Sequence, residues 1–139
     1  MANPAGLNDS DGNPSAASFT KNLALCVAGW VVGYLISAAS SLAWFQIMHI
    51  SPASEASTAT MVGTALYGIV FSIIAALVGA SFCRRFALGI GAAIAATIAA
   101  AAIWSWYQTP THAHWTHAIA FFLMAPAAQF AAIFRRSDD

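Results

Sequence analysis

Charge is scarce in this sequence: five basic and five acidic side chains among 139 residues, 7% in all, with a formal net charge of zero. Soluble domains carry about a quarter of their residues as Asp, Glu, Lys or Arg. A water-covered fold of this composition would lack the ionic groups for its own surface. Zero net charge also argues against a nucleic-acid partner. Two cysteines are too few for a disulfide scaffold. A Gly-rich phosphate loop, an outward cysteine pair and a serine next to a recognisable base are all missing. No catalytic residue and no bound cofactor is therefore expected, and the chain is read as non-enzymatic.

What is abundant is apolar surface: 60% of the residues are hydrophobic and the mean hydropathy is +0.70. It is gathered in four uncharged runs, residues 23–48, 60–83, 86–107 and 115–134. About 20 such residues in a helix cross a hydrocarbon core roughly 30 Å thick. Barrel strands would alternate apolar and polar residues; these runs are apolar all round. The expected fold is all-α, a four-helix transmembrane antiparallel bundle.

Basic residues near span ends stay in the cytoplasm. Lys21 precedes the first run, Arg84 and Arg85 separate the second and third, and Arg135 and Arg136 follow the fourth. An even number of crossings puts all five on one side, so both termini are expected to be cytoplasmic. Residues 1–20 lack the basic start of a secretory signal and are rich in Pro, Gly, Asn and Ser. They read as a flexible cytoplasmic tail, and residues 137–139 as a cytoplasmic end. The small residues "SAAS" at 37–40 mimic a cleavage site, but the apolar run continues past them. Cys26 and Cys83 fall at the reducing edge, where the expected role is a small apolar residue and the alternatives are a thiol pair or a lipidation site.

Helices in lipid associate through small residues. Rows at four-residue spacing occur in three runs: Gly29, Gly33, Ser37, Ser41; Gly68, Ser72, Ala76, Ala80; and Gly89, Ala93, Thr97, Ala101, Ser105. In the fourth, Met124 interrupts the row between Ala120 and Ala128, which continues to Ala132. Ser37, Ser72 and Thr97 are expected to hydrogen-bond across the bundle or to their own helix. Pro126 predicts a kink near Phe122. Trp30 and Tyr34 suit packing or lipid contact, with a small apolar pocket as the alternative.

The segment "THAHWTHA", residues 111–118, holds three of the four histidines. With that topology His49, Glu55, His112, His114 and His117 share the extracytoplasmic face. They are the candidate metal ligands, for zinc or copper. The spacing H-x-H-x-x-H lacks the i, i+4 pair of a zincin motif. The leading reading of these histidines is an interfacial collar among Trp44, Trp104, Trp106, Tyr107 and Trp115. The others are metal, an edge-on haem held by His49 with His114 or His117, and pH sensing.

No ionisable group lies deep in a run, although ion-coupled transporters and pumps rely on such groups. Four spans superficially resemble small multidrug exporters, whose first-span glutamate is missing here. Four-helix membrane enzymes of eicosanoid and glutathione chemistry use several inner-face arginines, and this chain has only its boundary pairs. With "GWVVGYLISAASSLAWF" in the first run and "HWTHAIAFFLMAPAAQF" in the last, residues 23–136 resemble small four-span bacterial integral membrane proteins of unassigned activity. The resemblance implies fold and compartment, a multi-pass protein of the inner (plasma) membrane, and no chemistry. The expected function is an accessory or assembly component of a membrane complex, with the lipid bilayer and a partner subunit or second copy as its company. The alternative is a small-solute or metal-handling protein working through the histidine face.

Overall fold

The computed structural model describes residues 16–136; the rest of the expected tail and the expected end at 137–139 lie outside it. Helix α1 is Ala16–Met48, α2 is Thr58–Ser81 and α3 is Ala87–Gln108, entered through a 3-10 turn at Arg84–Phe86. Helix α4, Trp115–Ile119, passes through a π-helical turn, Ala120–Met124, into α5, Ala125–Arg136, and the three form a fourth rod. All four rods, Ser18–Met48, Thr58–Ser81, Arg84–Gln108 and Trp115–Arg135, are long and apolar enough to cross a membrane. The all-α fold expected from the sequence is therefore observed, and the chain has the build of a multi-pass integral membrane protein.

Helix α1 begins earlier than the sequence suggested, because nothing after Pro14 opposes a helix and Ala16 and Ala17 favour one. It runs unbroken through Ser37 and Ser40. It ends on His49, the one non-glycine residue with positive φ (51°) among the described residues. There the His49 amide donates to the Gln46 carbonyl and the Ile50 amide to the Phe45 carbonyl. These bonds form a Schellman stop with His49 in the left-handed position. Ser57 caps α2, its side chain accepting from the Thr60 amide at 3.2 Å.

Size is sorted between interior and exterior. Ala75, Ala76, Ala80, Ala128 and Ala132 are completely buried, whereas Leu23, Leu35, Leu42, Leu66, Phe122, Phe130 and Phe134 are exposed. Lipid provides no hydrophobic drive between helices, so close backbone contact does the work. The rows expected on α1 and α2 are both buried, apart from half-buried Ser41. Gly29 and Gly79 face each other across the α1–α2 contact.

The row expected on α3 is not its contact stripe. Ala87, Ile90, Gly91, Ile94, Ile98 and Ala102 are buried instead, while Gly89 and Ala101 are exposed. Ile94 explains the difference. Its Cδ1 lies 2.5 Å from where a Cβ would sit on Gly33 and 3.0 Å from the same point on Gly79, filling the hollow that two glycines leave. Gly91 abuts the Cβ of Ala132 on the fourth rod.

The expected interruption by Met124 is also a contact. Met124 is buried, with its Sδ 2.9 Å from the point a Gly68 Cβ would occupy. The disturbance expected from Pro126 takes the form of the π turn. The Ala125 amide donates to the Ala120 carbonyl, five residues back. Pro126 has no N–H to offer the Phe122 carbonyl four residues back, and the wider turn absorbs that missing bond.

Topology puts the start of α1, the α2–α3 turn and the end of α5 at one end of the bundle, here the arginine end. Residues 49–57 and 109–114 form the histidine end. The two connections there are tied together: the Ala113 amide donates to the Ala53 carbonyl and Trp115 Nε1 to the Ser54 carbonyl, at 3.3 and 2.9 Å.

Candidate functional site

The histidine end holds a chain of aromatic contacts that the helices set in place. Trp106, in the last turn of α3, stacks on His114 with ring centroids 4.6 Å apart and planes 11° apart. His114 in turn meets His117 edge-on at 5.5 Å. Three-residue spacing at the start of α4 puts both imidazoles on one side of the rod. His117 Nε2 and Ser105 Oγ share a 2.9 Å hydrogen bond. The Nδ1 atoms of His114 and His117 are buried with no hydrogen-bond partner.

Of the five candidate ligands, then, the structure brings His114 and His117 together. His112 lines a recess of 260 Å³ with His117, Ser105 and Thr109. His49 and Glu55 are exposed, and His49 is engaged as the helix stop of α1. Among the described residues, no three His, Cys, Asp or Glu side chains gather closely enough to hold a metal ion.

Behind the recess lies a cavity of 190 Å³ bounded by all four rods, through Tyr34, Ser37, Trp44, Tyr67, Ile98 and Met124. Phe45, Ala102, Thr116 and Ala120 line both spaces. Trp44 holds its wall in place, stacking on Tyr67 at 4.4 Å and donating from Nε1 to Thr64 Oγ1 at 2.9 Å. The cavity falls short of the roughly 300–1,000 Å³ of drug-sized pockets, so its size suits waters or one small, weakly polar solute. Tyr34 thus lines a pocket. Trp30 does not join it; its Nε1 donates to Thr97 Oγ1 on α3 at 2.9 Å, and that hydroxyl donates on to the Ala93 carbonyl at 2.7 Å. Half-buried Thr97 thus bonds both across the bundle and to its own helix, while Ser72 Oγ is buried with no partner.

Two features escaped the sequence. Ser105 does stand beside a base, His117, twelve residues away on the next rod. A nucleophile relay also needs a third group orienting the imidazole, and His117 Nδ1 has none. The other is the closeness of Cys26 and Cys83, for which a thiol pair was only an alternative reading; their sulfurs lie 2.6 Å apart, 57 positions apart in sequence. Both are free thiols. The shared position of these cysteines near the arginine end was legible, but not their contact, which depends on how α1 is rotated against α2.

Compared with known proteins, the chain matches no family model, no curated protein and no solved structure. The fold places it among four-span integral membrane proteins, and its architecture assigns no activity.

Proposed function

We propose that the chain is a non-enzymatic integral membrane protein of a bacterial inner membrane. In this reading both termini are cytoplasmic and the protein serves as an accessory or assembly component, joined through α3 to a partner subunit or a second copy. One observation carries the reading. Ala92, Ala96 and Ala100 form an exposed row at four-residue spacing on the outward side of α3. Outward positions on the other rods are mostly larger, such as Leu35, Val70 and Phe130, with Ala39 and Ala43 of α1 a shorter exposed pair. Bulky residues suit acyl chains, and a smooth alanine row suits another helix. Sidedness is supported by the gathering of Lys21, Arg84, Arg85 and Arg135 at one end.

The test is gentle-detergent purification with cross-linking and mass measurement. A stoichiometric partner or dimer, lost in Ala96→Leu and kept in Val70→Ala, is the expected result. A lone chain indifferent to Ala96→Leu refutes the reading.

The 190 Å³ cavity favours a second reading, a small-solute membrane protein entered past the histidines. Its metal-handling version uses His114 and His117, with His112, His49 or Glu55 moving in to complete a zinc or copper site. Stoichiometric metal that disappears in a His114→Ala, His117→Ala double variant supports that version, and metal-free protein removes it.

A further inference from the structure

On the arginine half of the bundle, α1 and α3 diverge and leave a groove of 530 Å³. Its apolar walls include Leu23 and Val27 of α1 and Ile90 of α3, and Trp30 closes its inner end. Its mouth is polar, with Asn22 on one side and Arg85 on the other. The groove extends from residue 19 to 30 on α1 and from 85 to 93 on the 3-10 turn and α3. Along the turn and α3, eight steps at about 1.5 Å each make a depth of about 12 Å. That is most of one leaflet, which is about 15 Å of a hydrocarbon core roughly 30 Å thick.

Two details give the groove a direction and an occupant. Gly89 faces it with nothing within 4 Å of the point where a Cβ would sit, so the absent side chain leaves the space open. The Arg85 guanidinium lies over the Phe86 ring, 5.8 Å from its centroid. Both residues line the groove. Arg85 is exposed at the mouth of the groove, which puts its charge at the depth where lipid headgroups lie. A positive, hydrogen-bonding mouth above an apolar slot matches an amphiphile with an anionic head.

We infer that the α1–α3 groove is a binding site for one anionic phospholipid, with an acyl chain between the helices and the headgroup phosphate at Arg85 and Asn22. Trp30 sets the floor because its bond to Thr97 pins the indole across the gap between α1 and α3. None of Ala92, Ala96 and Ala100 lines the groove, although Ala92 and Ala96 follow Gly89 on the same side of α3.

The experiment is native mass spectrometry of the full-length protein with added phosphatidylglycerol or phosphatidylcholine of identical chains. One phosphatidylglycerol should be retained in preference to phosphatidylcholine, and Arg85→Gln should cut that preference about fivefold, the factor expected for one basic residue at an anionic surface. Gly89→Leu should abolish retention of both lipids, while thermal unfolding confirms an intact fold. Ala96→Leu should leave retention unchanged. Equal retention of the two lipids, an equal loss in Arg84→Gln, or retention surviving Gly89→Leu overturns the assignment. Full competition by inorganic phosphate also overturns it, because it would reveal an anion site with no acyl component.

Discussion

Gly29 of α1 and Gly79 of α2 lie backbone to backbone, so that a Cβ on Gly79 would stand 2.6 Å from the Gly29 carbonyl oxygen, and a Cβ on Gly29 would collide with the Gly79 carbonyl in return. The obstacle on each side is main chain, which cannot swing away as a side chain can. Gly29→Ala and Gly79→Ala are each expected to push α1 from α2 and destabilise the bundle by about 1–3 kcal/mol, the usual cost of overpacking. Gly89→Ala, which meets open space, should be neutral or slightly stabilising. Thermal unfolding of the three variants in one detergent makes the comparison.

The Trp30 indole and the Thr97 hydroxyl join α1 to α3 about one turn from the seat of Ile94 on Gly33. Thr97→Val keeps the shape of the side chain but removes the acceptor. A loss of about 0.6 kcal/mol, the average for hydrogen bonds between membrane helices, is expected, together with a shift in tryptophan emission as the indole N–H loses its partner. Thr97→Ser should restore both.

His49 stops α1 at a positive φ that L residues adopt at a cost. Glycine carries no such penalty. His49→Gly should raise the thermal midpoint, by about 1 kcal/mol in stability, and His49→Val should lower it. If His49 were a metal ligand, His49→Gly would instead release metal, and elemental analysis of the same samples reads that outcome.

The contact of Cys26 with Cys83 tests the rotation of α1 directly. Mild oxidation of the two thiols by a low-molecular-weight disulfide should link them through one S–S bond. The chain loses two protons and two electrons, and the reagent leaves as two thiols. Intact mass should fall by two hydrogens, with no linkage in Cys83→Ser. A pair that resists oxidation in the folded protein would mean that α1 is turned away from the α2–α3 turn.

Much of this architecture is legible in the residues themselves. Four uncharged runs became four rods whose bounds differ from the reading mainly at the start of α1, and Pro126 marked the site of the π turn. The α1 and α2 rows turn inward at Gly29, Gly33 and Gly68, where absent side chains allow close approach, whereas Gly89 in the α3 row meets open space. The α3 row was misread because an alanine-rich helix has a small residue in every register. There the deciding group was a large one, Ile94, seated in glycine hollows on two other rods. At the histidine end, three-residue spacing puts His114 and His117 on one side of their rod, where they meet. Their partners Trp106 and Ser105 came from another helix, and His49 and Glu55 did not join them.

The sequence by itself determined that these helices are long and apolar enough to cross a membrane, how many there are, in what order they alternate, and which end carries the arginines. Charge exclusion from hydrocarbon acts on each run separately and needs no neighbour. The tertiary structure alone decided which face of each helix is inside, where the cavity and the groove open, and which cysteines and histidines meet. Those outcomes depend on steric fit between rods that are apolar all round, and such rods carry no polar face to announce their rotation.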